Sequence, residues 1–377
     1  MWKRYCLLAC LLAAQNIEAQ TVETVVSHPR IVDGIHVDAA GFIYTTPGGL
    51  MQGLAIGRAT PEGGFDPNFR TGFSGPIDID ENGAGLLFVT NYDDNTLKSY
   101  DPATGAVATV LSGLDGPAGL ALDSEGNIFV TCFGAFPAYS GNQVIKVKPD
   151  GSSETWLETT DFFRPQGVAF DDEGHLWVAN TPTGKIFRID TTARVPELVL
   201  ELGAKAGNLV FRKKDRRLYF PSQGNHRIYR MDLQGNLDTL AGTGTPGSID
   251  GDAAGARFNR PLGLGFTVSE DTLYVAEAGR LRRITGLDEQ PAQAGEKAVD
   301  WKLRVAPNPS TGSVKVEIPA ALAGRPCILE VSDGSGRVAF RQEAPLYGNA
   351  IFIDGLKAGV WYVRLFSDGI LLLEKML

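Results

Sequence analysis

The sequence predicts an all-β chain, a six-bladed β-propeller followed by a small C-terminal β-sandwich. Three observations carry this. The composition has 45 Gly and 21 Pro among 377 residues, which suits many tight turns between short strands. A motif of apolar strand, polar turn and second apolar strand recurs six times through the middle of the chain. Its spacing, roughly 40 to 55 residues, is that of a four-stranded blade.

The copies are DGIHVDAAGFIYTT from Asp33, GPIDIDENGAGLLFVTN from Gly75, AGLALDSEGNIFVTC from Ala118, QGVAFDDEGHLWVAN from Gln166, GNLVFRKKDRRLYFPS from Gly207 and LGLGFTVSEDTLYVAE from Leu262. Most are followed by an alternating third strand, as in NQVIKVKPDGS from Asn142 or GKIFRID from Gly184. Period-two alternation marks strands, and Asp-Glu-Gly, Ser-Glu-Gly and Pro-Asp-Gly mark hairpin turns. The last copy offers only three strands, ending at Arg280–Thr285. TVETVVS, Thr21 to Ser27, alternates like a strand and could supply the fourth, closing the ring.

At the N-terminus, Lys3 and Arg4 precede CLLACLLAA, too short to span a bilayer, and Ala19 stands before Gln20. This reads as a signal peptide over 1–19; the lipobox-like Leu7-Leu8-Ala9-Cys10 is the rival, with few apolar residues ahead of its cysteine. No other segment approaches membrane-spanning length, so no transmembrane segment is expected. The propeller then covers 20–285, a polar Pro- and Gly-containing linker 286–301, and the tail 302–377. Of Cys6, Cys10, Cys132 and Cys327, only the last two survive cleavage, in different domains, so a packed core rather than disulfides must stabilise the mature chain. The net charge of −9 argues against nucleic acid or anionic membrane as partner, and the basic run Arg212–Arg217 reads as a solvated turn.

Two resemblances add to this. RVAPNPSTGSVKVEIP (Arg304–Pro319), VSDGSGRVAF (Val331–Phe340) and LKAGVWYVRLFSDGILLLEKML to Leu377 together resemble the C-terminal sorting domain of the type IX secretion system of Bacteroidota. The resemblance implies a sorting signal at Pro307, Asn308, Pro309, Gly336, Gly359 and Lys375. It implies the secretion machinery as partner and an extracellular or outer-membrane-surface location. Pro-x-Gly-apolar-x-apolar-Asp-x-x-Gly-Asn within the repeat resembles the NHL repeat, with GNHRIYRMDLQG (Gly224–Gly235) and AGTGTPGSIDGDAAGARFNRPLGL (Ala241–Leu264) as further matches.

In the related gluconolactonase-like propellers, carboxylate and amide oxygens from several blades hold a divalent metal at the channel. Here the row ahead of the inner strands offers Asp33 and Gln166 among Gly75, Ala118, Gly207 and Leu262. The histidine-held zinc of peptide-amidating lyases would need converging histidines, and His28, His36, His175 and His226 are scattered. No metal or other cofactor is therefore expected, with a divalent cation as the alternative. The row leaving the second strands reads Pro47, Asn91, Cys132, Asn180, Ser222 and Glu277. Its polar members could bind a sugar or cation, or cap strand ends.

His36 and Asp78 share an inner-strand position in neighbouring blades, where they could form an acid–base pair or a plain inter-blade contact. Thr46 to Phe73 reads as a long excursion of blade one. CFGAFPAYSG carries Phe133, Phe136 and Tyr139 towards the mouth, as a glycan- or peptide-binding rim or as a satellite core under the loop. Asp250-Gly-Asp252 resembles a calcium-loop fragment without its downstream ligands and reads as a turn. The expected function is an exported binding module for a glycan, peptide or protein. A metal-dependent lactonase and a structural or adhesion protein are the alternatives.

Overall fold

The computed structural model describes residues 20–48 and 53–287, and in the tail the strands between Arg304 and Met376. The chain divides into Met1–Ala292 and Gln293–Leu377. No helix occurs among the described residues.

The first unit is a ring of six antiparallel sheets, each starting from an inner strand. Blade one runs Ile35–Val37, Ile43–Thr45, Ala55–Ala59 and Phe65–Thr71. The segment read as an excursion thus supplies that blade's third and outer strands. Phe42 and Phe69, stacked on the Arg58 guanidinium at 4.3 and 3.8 Å, cover its flank. Blade two begins at Pro76–Glu81, blade three at Pro117–Leu122 and blade four at Pro165–Phe170. Blades five and six begin at Val210–Arg212 and Gly263–Phe266.

Blade six is closed by the N-terminus. Thr21–Ser27 pairs antiparallel with Arg280–Thr285, and a short fifth strand, Gly251–Asp252, pairs with Thr21 and Val22. Val22, 1 % exposed, sits in the core between blades five and six with Tyr219, Phe258 and Ile284. The loop carrying Asp250 latches this closure. Asp250 accepts from the Thr24 backbone N–H and hydroxyl and pairs with Arg282 at 2.6 Å.

Blades meet through backbone as well as side chains. A threonine at or just past the end of three second strands donates to a carbonyl on the next blade's inner strand: Thr46 to Ile77, Thr90 to Ala118 and Thr131 to Gln166. So close an approach explains glycine on the inner strand. A β-carbon on Gly119 would overlap the Gln166 carbonyl oxygen.

The tail forms two antiparallel sheets. Arg304–Ala306, Ser313–Glu317 and Ala350–Asp354 make one; Pro326–Asp333, Val338–Pro345, Trp361–Ser367 and Ile370–Met376 make the other. Leu329 and Val331 are buried. Of the sorting residues, Lys375 lies on the last strand; Pro307, Asn308, Pro309, Gly336 and Gly359 fall outside the described residues.

Candidate functional site

The channel has two mouths. At the crossover mouth the chain passes from each outer strand to the next inner strand; at the hairpin mouth the inner strand turns into the second. Between them the channel is bridged by two polar pairs, each spanning opposite blades. Gln166 of blade four donates from Nε2 to both carboxylate oxygens of Asp33 of blade one, at 3.1 and 3.3 Å. Asn208 of blade five donates to Asp78 of blade two at 2.8 Å. The remaining lone pairs of Asp78 take the backbone N–H groups of Leu120 and Ile79, both at 3.0 Å. Gln166 in turn accepts from the Thr181 hydroxyl at 3.2 Å.

Burial dominates the acidity of this pair of acids. It holds Asp33 well above the carboxylate range, helped by the nearby charge of Asp78 and opposed by the Gln166 bond. Burial likewise pushes Asp78 up to about 7 against its backbone hydrogen bonds, with the Asp80 charge adding to the rise. The anticipated His36–Asp78 pair does not form. Asp78 is taken up by Asn208 and by the Leu120 and Ile79 N–H groups, and His36 meets Asp80 (3.4 Å) and Glu81 (3.1 Å) of the next blade instead. Burial opposes charging of His36, but its bonds to Asp80 and Glu81 and their charges prevail and raise it to about 9.

The row leaving the second strands is committed to its own backbone. Asn91 accepts from Ser74 N–H and donates to the Val89 carbonyl; Asn180 accepts from Phe163 N–H and donates to the Asp161 carbonyl. Ser222 donates to Lys205 and accepts from Asn225 N–H. Glu277 accepts from Asn259 N–H and from the fully buried Arg282 at 2.8 Å. Each fixes the crossover segment just ahead of its own blade's inner strand. Cys132 is buried, and burial pushes its thiol up to about 12, far from a reactive thiolate. The four histidines remain separate. His175 serves the turn acid Asp171, His226 accepts from Arg260 N–H, and His28 accepts from Arg30 N–H.

At the hairpin mouth the inner strands open onto a basin of about 1100 Å³, lined by acids from three successive turns, including Asp80, Glu81, Asp123 and Asp171. Two of these hold their own hairpins. Asp123 accepts from the Glu125 and Asn127 N–H groups, and Asp171 from those of Glu173 and His175 and from the Trp177 indole. This concavity was not anticipated from sequence, because hairpin acids read equally as turn caps. Among the described residues no group of three His, Cys, Asp or Glu is placed to hold a metal ion.

The crossover mouth between blades three and four is different. Phe133 and Tyr139 pack on Ile77, Tyr92 and Ala118, forming a small core under the loop. Phe136, 69 % exposed, stands on that base with its ring 5.8 Å from Tyr139. Phe163, 45 % exposed, sits on the next crossover. Arg164 joins Phe163 to the base formed by Phe133 and Tyr139. Its guanidinium lies 4.9 Å from the Phe163 ring, 5.4 Å from Tyr139 and 5.9 Å from Phe133, and its Nε donates to the Tyr139 carbonyl at 2.7 Å.

The backbone of Arg164 is also telling. Four blades place a left-handed residue directly before a proline that starts or leads into the inner strand: Gly75 (φ 58), Gly116 (φ 60), Arg164 (φ 53) and Arg260 (φ 54). Glycine adopts this conformation freely, whereas a side chain there costs about 1–2 kcal/mol. Sequence reading missed Arg164 and Phe163. The signal was present in the alternation of Gly-Pro and Arg-Pro at equivalent repeat positions.

Many solved structures share this fold. An auxiliary nutrient binding protein from Bacteroides thetaiotaomicron superposes with a TM-score of 0.59 at 16% identity, over 70% of this chain and 76% of that one. XC5397, a gluconolactonase from Xanthomonas campestris, gives 0.56 at 15% identity, over 70% and 89%. A catalytically inactive virginiamycin B lyase variant from Staphylococcus aureus with quinupristin gives 0.52 at 15% identity, over 71% and 99%. No family model matches this chain, and no curated protein does. At these identities the likeness establishes the six-bladed propeller and nothing finer.

Proposed function

We propose that this chain is an exported binding protein whose crossover mouth captures a ligand, without performing chemistry on it. The observation that carries this is the state of the polar groups around the channel. Metal-assisted hydrolysis needs oxygen ligands from several blades converging on one ion. Here Asp33 and Gln166 are bonded to each other across the ring, and Asn180 and Glu277 hold crossover backbone. The residues present do not fit the metal of the gluconolactonase-like family. Exposed aromatic rings and a guanidinium remain at the same mouth, the kind of surface that binds without reacting.

Export rests on the N-terminal segment 1–19 and on the tail's likeness to the type IX sorting domain. The NHL-type repeat pattern, the two-sheet tail and a nutrient-binding neighbour from Bacteroides support that setting. The ligand class is a glycan, peptide or protein met outside the cell.

The test is binding of the full mature chain to glycan and peptide arrays, with and without chelator. Binding that survives chelator and falls in Phe136→Ala supports the rim. Lactone hydrolysis that disappears in Asp33→Ala would replace this reading with the enzyme one. Adherence to cells or matrix with no small ligand would leave adhesion as the role.

A further inference from the structure

We infer that the mouth between blades three and four takes a carboxylate-bearing saccharide, its acid group on Arg164 and its sugar rings against Phe136 and Phe163. This rests on the reading of that mouth as a binding rim and narrows its ligand.

Three observations point to the acid group. Arg164 uses only Nε internally, and among the described residues no carboxylate pairs with it. Arg164 also occupies a left-handed position that two sister blades fill with glycine, so its side chain is kept against backbone preference. Its Nη edge is left to offer paired donors, the geometry a carboxylate accepts in bidentate fashion. Aromatic walls at 4.9 and 5.4 Å screen it from water and strengthen that bond.

The rest of the patch selects for sugar over protein. The two large exposed rings, Phe136 and Phe163, offer roughly 170–290 Å² together. A stable protein interface needs about 800 Å² a side. A pyranose ring, apolar on one face and rimmed by hydroxyls, covers an aromatic ring at this scale. The base is firm, since Tyr92 donates to the Gly134 carbonyl at 2.8 Å and Arg164 N–H to that of Gly141 at 2.9 Å.

The experiment is calorimetric titration of the full chain with a uronic-acid trisaccharide, the neutral trisaccharide of the same linkage, and an acidic tripeptide. The uronate is expected to bind at least tenfold tighter than the neutral sugar, and to weaken as salt rises. Arg164→Gln should abolish that preference, weakening the uronate at least tenfold more than the neutral sugar; Phe136→Ala and Phe163→Ala should weaken both sugars alike. Arg164→Gly, which keeps the left-handed backbone, should lose the preference with melting temperature preserved, separating lost recognition from lost folding. Equal binding of both sugars, reduced only by the phenylalanine variants, would overturn the acid-group assignment and leave the rim intact. Tighter binding of the peptide than of the uronate would overturn the saccharide class. Ligand binding untouched by every one of these variants, or no binding in any arm, would overturn the rim itself.

Discussion

Gln166 reaches across the centre of the ring to bond both carboxylate oxygens of Asp33, so that blades one and four are joined through their side chains. Asp78 and Asn208 repeat the arrangement between blades two and five. These bridges turn the two best hydrophilic candidates on the inner strands into mutual partners. They also bury two acids, which gives the fold a distinct pH response.

Asp78 has a folded-state pKa of about 7, above its value in the unfolded chain near 3.9. Between those limits the folded state binds the extra proton, so stability is greatest at the acid end and falls as pH rises from about 4 to 7. Asp33 shifts in the same direction. His36, raised to about 9, contributes stability that is complete below about 6.5 and lost as pH climbs through 9. Urea unfolding across pH 5 to 9 should therefore show two successive declines, each on the order of a few kcal/mol at most. Asp78→Asn should remove part of the first, and His36→Gln the second. A profile rising over this range would refute the assignment.

Glu277 and Arg282 are fully buried and paired at 2.8 Å, with Asp250 on the other side of the guanidinium. Glu277→Ala strands a buried charge and releases the Asn259 crossover. A loss of about 3–5 kcal/mol is expected in chemical denaturation, more than for Asp250→Ala, since Asp250 is itself half exposed.

How much of this was legible in advance follows from what repeats. The inner and second strands and their hairpins recur with period, the closure by Thr21–Ser27 follows from the strand the last copy lacks, and these stand in the structure as expected; the third and outer strands of blade one, read as an excursion, do not. What failed was any feature set by packing across the ring. The His36–Asp78 pairing assumed that equal repeat positions face each other, whereas the stagger between blades presents Asp80 and Glu81 to His36. The partnership of Asp33 with Gln166 joins residues 133 apart in sequence, and nothing local announces it. The loop of Phe133, Phe136 and Tyr139 reads from sequence as a rim or as a satellite core; Phe133 and Tyr139 form the core and Phe136 is the exposed member. Asp250 read as a turn and serves as the latch of the closure.

That closure should be indispensable. Removing Thr21–Ser27 would strip Val22 from the core and expose the edges of Arg280–Thr285 and Gly251–Asp252. A truncated protein beginning at His28 is expected to aggregate or to melt far below the intact chain, as followed by size-exclusion chromatography and calorimetry. A monomer with unchanged melting temperature would show that blade six closes without its N-terminal strand.

The contact between blades three and four has no room for a methyl group at Gly119, whose β-carbon would run into the Gln166 carbonyl. Gly119→Ala should cost about 3 kcal/mol or more. Gly83, with open space around it, should tolerate Ala within about 0.5 kcal/mol. Comparable losses at the two positions would contradict the tight inner ring.

The central claim is that the crossover mouth binds a ligand through its aromatic rim rather than through a metal. The most direct measurement is a thermal-shift screen of the full chain against divalent metals, lactones and oligosaccharides, in parallel on the wild type, Phe136→Ala, Arg164→Gln and Asp33→Ala. A rise in melting temperature with a uronic-acid oligosaccharide, kept in chelator and lost in the two rim variants, is the expected result. A rise that requires a divalent metal and disappears in Asp33→Ala would contradict it and place an enzyme site in the channel.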